Sequence, residues 1–153
     1  MIKIFIYILS FLLLTAPAAI AEKISVKIAP AQIISTHHDE VELGDKIPFE
    51  VVNDVTIDGK LYIKKGTIIY GTVDFVHPNG WAGDNAEIWF KTFLITTSEN
   101  KKINVDYTLK IKGNNDKANN IKQALAYYIL RLIRGSEIYV EPDTKIYNLF
   151  IER

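Results

Sequence analysis

Residues 62–70 read YIKKGTIIY, two apolar segments joined by a tight Lys-Gly turn. The dipeptide Asp58-Gly59 precedes them and is a strong signal for a two-residue hairpin, because both central positions of such a turn favour positive φ. Residues 139–147, YVEPDTKIY, repeat the tyrosine at each end and the threonine between the segments. The two stretches predict a strand–turn–strand corner that the chain uses twice. Chance similarity in a chain rich in Ile and Tyr is the alternative.

Strand-forming patterns surround these corners. Apolar and polar residues alternate in 23–28 and 102–112, and residues 86–97 are rich in aromatic and β-branched side chains, as is typical of strands. A sheet that turns corners in this way closes into a small barrel, which removes its unpaired edges. We therefore expect a mainly β domain over residues 22–153, a small antiparallel β-barrel or barrel-like sandwich with one helix. The predicted strands cover residues 23–28, 47–52, 54–57, 61–63, 67–76, 86–97, 102–112, 137–140 and 145–151.

Over residues 117–134 the spacing of apolar residues changes from the alternation of strands to the three- and four-residue spacing of a helix. This predicts the one helix of the domain, which we place at an open end of the barrel. Asn115 or Asp116 can cap its start, and Gly135 follows its end as the terminating glycine. The apolar positions at helical spacing are Ile121, Leu125, Tyr128 and Leu132.

One side of this predicted helix is a candidate contact surface. Tyr127, Tyr128 and Leu132 either pack on the core or face a partner or a membrane surface. Lys122 and Arg131 lie within the same segment, so crossing a bilayer would be costly.

The first 21 residues have the pattern of a cleavable secretion signal. Lys3 is their only charge, Ile4–Leu14 is almost entirely apolar, and Ala19-Ile20-Ala21 supplies small residues for a signal peptidase. The apolar run is about half as long as a bilayer-spanning helix. We expect cleavage near Ala21-Glu22 and export to the periplasm or outer envelope. An uncleaved anchor and a first core helix are the alternatives.

The composition limits the function classes. The 153 residues carry 18 basic and 18 acidic side chains, so the net charge is zero, which argues against a nucleic-acid binder. The chain contains no cysteine. This excludes disulfide scaffolds, thiolate metal sites, cysteine nucleophiles and lipoprotein acylation.

The densest group of metal-ligating side chains is HHDE at residues 37–40. Adjacent residues on a strand point to opposite faces, and the third histidine, His77, lies far away without HExxH spacing. We interpret residues 37–40 as a polar surface loop and expect no metal and no cofactor.

Signals for catalysis are weak. No serine lies in a Gly-x-Ser-x-Gly elbow, and no glycine pattern suits a phosphate. Asp74, Asp84 and Glu87 flank the glycine-rich loop and are candidates for the paired carboxylates of glycoside chemistry. Solvated charges at strand ends are the alternative interpretation. We expect a non-enzymatic protein, with a hydrolase as the alternative.

The loop of residues 77–85, HPNGWAGDN, is the main binding candidate. An exposed indole next to amide and carboxylate groups suits sugars, because the ring stacks on the apolar face of a sugar and the polar groups bind its hydroxyls. Alternatively, the indole folds back as a lid on the barrel end. The candidate binding residues are His77, Asn79, Trp81, Asp84 and Trp89.

Residues 61–73, LYIKKGTIIYGTV, resemble the "Ile-Pro-Lys-Gly-Ser/Thr…Gly" signature of the C-terminal β-barrel of TrbI-like conjugal-transfer proteins. The similarity extends over about residues 58–110, with Lys64 standing where the family has proline. The family's long N-terminal region and Pro-rich linker are absent here. The resemblance implies an exported β-barrel near the cell envelope, with a helix inserted between strands.

Together these patterns predict an exported bacterial envelope protein that acts as a non-catalytic binding or assembly module. Its partner would be an envelope protein or a cell-wall component, with peripheral membrane contact as a further option and no nucleic acid. The alternative function is a glycan-binding or glycan-processing module centred on Trp81.

Overall fold

The computed structural model describes residues 22–37, 40–113 and 134–152. Within these ranges the chain consists of strands, turns and loops and contains no α-helix. The strands are β1 (Lys23–Pro30), β2 (Ile34–Ser35), β3 (Lys46–Val51), β4 (Val55–Ile57), β5 (Lys60–Ile63), β6 (Ile68–His77), β7 (Glu87–Thr96), β8 (Lys102–Lys112), β9 (Tyr139–Val140) and β10 (Tyr147–Glu152).

Two predicted segments lie outside the described residues. One is the signal sequence at residues 1–21. The other is the helix at 117–134, of which only Arg134 is described. The candidate contact residues on that helix, Tyr127, Tyr128 and Leu132, therefore remain sequence predictions.

Six strands form one antiparallel sheet in the order β10-β1-β3-β6-β7-β8. The sheet curls so that its two edge strands face each other, and the rings of Tyr107 on β8 and Phe150 on β10 lie 5.8 Å apart. A groove of about 670 Å³, lined by residues of both edges, remains along this seam. The expectation of a mainly β, barrel-like antiparallel fold is confirmed.

Aromatic side chains fill the interior of the barrel. Phe49, Phe90 and Phe93 are fully buried. Phe49 lies on β3, and both Phe90 and Phe93 lie on β7, the two strands that flank β6 in the sheet. The Phe49 and Phe90 rings meet edge-to-face at 5.3 Å, and Phe49 and Phe93 at 5.9 Å, which is the arrangement that ring quadrupoles favour. Register shifts between β6 and β7 and between β7 and β8 bend the sheet around this cluster.

The two similar sequences form the same corner. The Thr67 hydroxyl donates a hydrogen bond of 2.6 Å to the Lys64 carbonyl, and the Thr144 hydroxyl donates one of 2.7 Å to the Glu141 carbonyl. In each corner the backbone N–H of the threonine also points to that carbonyl. The repeat predicted from sequence is therefore present at the level of individual hydrogen bonds.

Both corners also place the residue before the threonine at positive φ, Gly66 at 81° and Asp143 at 58°. The first corner leads from β5 into β6, and the second leads from β9 into β10. Each corner thus connects a peripheral two-stranded sheet to a strand of the six-stranded sheet.

The hairpin predicted at Asp58-Gly59 is confirmed, since both residues have positive φ and β4 pairs with β5. The predicted strands at 137–140 and 145–151 are shorter, because the chain pairs only from Tyr139 and Tyr147 onward. Strand β2 was not predicted. Two residues are too few to show an alternating pattern.

Candidate functional site

The Trp81 loop, residues 77–85, connects the end of β6 to the start of β7. It closes on itself through a hydrogen bond of 2.8 Å from the Gly80 N–H to the Asp84 carbonyl. At its base, the His77 ring nitrogen Nε2 lies 2.8 Å from Asp84 Oδ2. The side chains of His77 and Asp84 therefore brace the two sides of the loop.

The loop also pairs with the chain that returns at residue 134. Trp81 and Arg134 form an isolated antiparallel bridge. The Gly135 N–H donates to the Gly80 carbonyl at 2.8 Å, and the Asn79 side-chain amide donates to the Gly135 carbonyl at 2.7 Å. One donor of Asn79 is thus used inside the protein, although sequence reasoning assigned this side chain to a ligand.

Further contacts fix the second half of the loop. Ser136 donates its N–H to Asn85 Oδ1 at 2.9 Å and accepts a bond of 3.0 Å from the Ala86 N–H. Gly135 packs so closely that a Cβ there would overlap the carbonyl of Asp84. The loop is therefore held from both sides by hydrogen bonds and by contact with backbone.

The end of β8 reaches the same place. The Gly113 N–H donates to the Ala86 carbonyl at 2.8 Å, while the Ala86 N–H donates to Ser136. Residues 113 and 136 therefore flank a single residue, Ala86. The described residues on either side of the 114–133 segment, Gly113 and Arg134, therefore both lie beside the Trp81 loop.

Trp81 points away from the barrel. Its side chain is 69% exposed, so it is not folded back as a lid on the barrel end. An exposed indole lies close in sequence to the polar pair of His77 and Asp84, which suits a ligand with both an apolar face and hydrogen-bonding groups.

A row of rings extends from the loop along the outside of the sheet. The His77 ring stacks on Phe75 at 6.3 Å, and Phe75 lies 4.8 Å from the Trp89 ring. Lys110 Nζ lies 3.7 Å from the centre of the Trp89 ring, within cation–π distance. Trp89 thus joins the predicted site through Phe75.

Phe75 and Lys110 were missed by sequence reasoning. Each is the register partner of Trp89, Phe75 on β6 and Lys110 on β8. The spacing of Phe75 and His77 places both on one face of a strand, but their contact with Trp89 depends on a register that β-bulges set.

A second histidine–carboxylate pair lies near β2. His37 Nδ1 is 2.9 Å from Glu137 Oε2. The neighbouring Ser35 is buried, and its hydroxyl accepts a bond of 3.0 Å from the His37 N–H. The Ser35 hydroxyl is thus engaged by the backbone of His37.

Two more observations apply to the described parts of the chain. No three His, Cys, Asp or Glu side chains there are grouped to hold a metal ion. No helix there has the length and apolar character needed to cross a bilayer. His38 and Asp39 of the predicted polar loop lie outside the described residues.

Comparisons with protein-family models, with curated proteins and with solved structures found no match for this chain.

Proposed function

We propose that the chain is an exported protein of the bacterial envelope that acts as a non-catalytic binding module, with the Trp81 loop as its contact surface. The observation that carries this proposal is the 69% exposure of Trp81 on a loop whose backbone is hydrogen-bonded on both sides. A preformed loop binds with little loss of conformational entropy. Covering a large aromatic side chain is worth about 1.5–3 kcal/mol.

A cell-wall glycan is the ligand class that fits this surface best. The indole of Trp81 offers an apolar face for a sugar ring, and the exposed pair of His77 and Asp84 offers donors and acceptors for hydroxyl groups. The outer row of Phe75 and Trp89 continues from the His77 ring and would support further sugar residues.

Tryptophan fluorescence tests this proposal, because the chain contains two tryptophans. The Trp89→Phe variant leaves Trp81 as the sole reporter, and Trp81→Phe leaves Trp89. Titration with N-acetylglucosamine oligomers at millimolar concentration should shift and quench the emission of the first variant. The second variant should bind more weakly. An unchanged Trp81 emission throughout the titration would count against glycan recognition.

Export is part of the same proposal and rests on the signal pattern of residues 1–21. We expect the mature protein to begin at Glu22 and to be recovered from the periplasm or the outer envelope. Mass spectrometry of the N-terminus after cell fractionation measures this. An intact Met1 in the membrane fraction would show that the segment is an anchor.

Assembly with an envelope protein is the second candidate function. It is favoured by the hydrogen bonds of Ala86 with Gly113 and Ser136, which bring both ends of the 114–133 segment beside the Trp81 loop. Replacing Tyr128 and Leu132 by serine separates the two interpretations of that segment. A folded protein that no longer associates with the envelope indicates a contact surface, and an unfolded protein indicates core.

A further inference from the structure

Trp81 and Arg134 present their side chains on the same side of the backbone. They are direct partners in an antiparallel bridge, and the Cβ atoms of directly opposite residues in such a pair lie about 4.5–5.5 Å apart. The pairing is fixed by the bond from the Gly135 N–H to the Gly80 carbonyl. An indole and a guanidinium are therefore held side by side on one surface.

The guanidinium of Arg134 is available to a ligand. The residue is exposed, and among the described residues no carboxylate lies within salt-bridge distance of it. The cation–π contact that the described residues contain involves Lys110 and Trp89 rather than Arg134 and Trp81. Arg134 and Trp81 therefore do not form a cation–π pair with each other in the described structure, and both side chains can contact a ligand.

Asp84 is the one acidic residue of the Trp81 loop. Its Oδ2 is held by the His77 ring at 2.8 Å, so this carboxylate is engaged at the base of the loop. The charged group directly opposite Trp81 is the Arg134 guanidinium, which has no carboxylate partner among the described residues. An anionic ligand is therefore favoured over a neutral one.

We propose that the Trp81 loop selects sugars that carry a carboxylate, such as muramic or uronic acids. The indole stacks on the sugar ring, and the planar guanidinium of Arg134 receives the carboxylate through paired hydrogen bonds. This inference rests on the proposed function, because it assigns the ligand class of the same loop. It also gives Arg134 a role that neither motif nor composition indicated.

The test compares neutral and carboxylated sugars of equal length. The Trp89→Phe variant, with Trp81 as its only tryptophan, is titrated with tetramers of N-acetylglucosamine, of galacturonic acid, and of alternating N-acetylglucosamine and muramic acid. We expect at least one carboxylated tetramer to bind about tenfold more tightly than the neutral one, as one charge-assisted contact would give. The two carboxylated ligands separate a muramic from a uronic source.

Arg134→Gln in the same background should abolish this preference, so that neutral and carboxylated tetramers bind with affinities within about twofold of each other. Lys145→Gln, which removes an exposed positive charge from a different turn, is the matched control and should retain the preference. Thermal unfolding of both variants establishes that they are folded.

Equal binding of neutral and carboxylated tetramers, or a preference that survives Arg134→Gln, would overturn the inference and leave glycan recognition intact. Failure of every tetramer to perturb Trp81 would instead remove glycan recognition itself, and the inference with it. Loss of preference in the lysine control would also overturn the assignment to Arg134.

Discussion

Trp81 lies directly opposite Arg134 in an antiparallel bridge, although 53 positions separate them along the chain. The bridge ties the loop after β6 to the segment that returns toward β9. Because Asn79, Asn85 and Ser136 add hydrogen bonds at the same junction, the loop is held as one unit. Its exposed indole is then a fixed contact point instead of the end of a flexible loop.

Gly135 should tolerate no side chain. In Gly135→Ala the new Cβ overlaps the Asp84 carbonyl, a backbone atom that cannot move without breaking the loop. We expect a loss of about 2 kcal/mol or more in the free energy of unfolding, measured with urea. Gly80→Ala is the matched control, because its Cβ meets only the Asp84 side chain, at 2.9 Å. Equal losses in the two variants would contradict the close packing described at Gly135.

Gly71 makes room for the aromatic cluster of the barrel. A Cβ at this position would lie 2.8 Å from Phe93, 3.1 Å from Phe49 and 3.2 Å from Phe90. Gly71→Ala should therefore destabilise the protein by about 1–3 kcal/mol through overpacking. Thr72→Ala, at the next position of β6, should cost less than about 1 kcal/mol. The contrary result, a neutral Gly71→Ala, would mean that the rings do not close around this glycine.

The two repeated corners should respond alike to loss of the threonine hydroxyl. Thr67→Val and Thr144→Val each remove one hydrogen bond to a carbonyl three residues earlier, and we expect each to cost about 0.5–1 kcal/mol. Thr108→Val, at an exposed position of β8, provides the control and should be neutral. If only one of the two variants lost stability, the two corners would share a hydrogen-bond geometry without sharing its contribution to the free energy of unfolding.

Tyr147 carries a buried hydroxyl without a hydrogen-bond partner among the described residues. Tyr147→Phe removes this group, so the free energy of unfolding at pH 7 should rise by about 1 kcal/mol. Tyr139→Phe, at an exposed tyrosine, should change it by less than about 0.5 kcal/mol. A clear loss of stability in Tyr147→Phe would show that the hydroxyl has a partner.

The same residue predicts a pH dependence. Burial raises the pKa of the Tyr147 hydroxyl above its ordinary value, since desolvation disfavours the phenolate. The unfolded chain then releases this proton at lower pH than the folded protein does. The contribution of this ionisation to the free energy of unfolding is therefore fully present below about pH 10, and it is lost as the pH rises through the pKa that Tyr147 has in the folded protein. Above pH 10, the free energy of unfolding measured with urea should therefore fall more steeply with pH for the natural protein than for Tyr147→Phe. Equal pH dependence of the two proteins would contradict this.

Local signals made most of the fold predictable from sequence. The Asp58-Gly59 turn, the two corners and the long strands depend on neighbouring residues, and each was located within a few positions. Strand β2 was missed because its two residues have no periodicity, and it forms only by pairing with β9.

The candidate site was predictable in part. The loop and its chemistry are visible in the sequence, but the partner of Trp81 is not, because Arg134 reaches it through tertiary pairing. The contacts of Trp89 with Phe75 and Lys110 depend on strand register, and a shift of one residue would move every side chain to the other face.

Co-sedimentation with purified peptidoglycan sacculi tests the central claim most directly, namely that Trp81 is the contact surface. Trp81→Ala is compared with Leu43→Ala, because these side chains are 69% and 72% exposed and neither truncation should unfold the protein. We expect the tryptophan variant to lose at least about tenfold in affinity, as truncating an aromatic anchor commonly does, and the leucine variant to bind like the natural protein. Undiminished binding of Trp81→Ala, or equal losses in both variants, would contradict the claim.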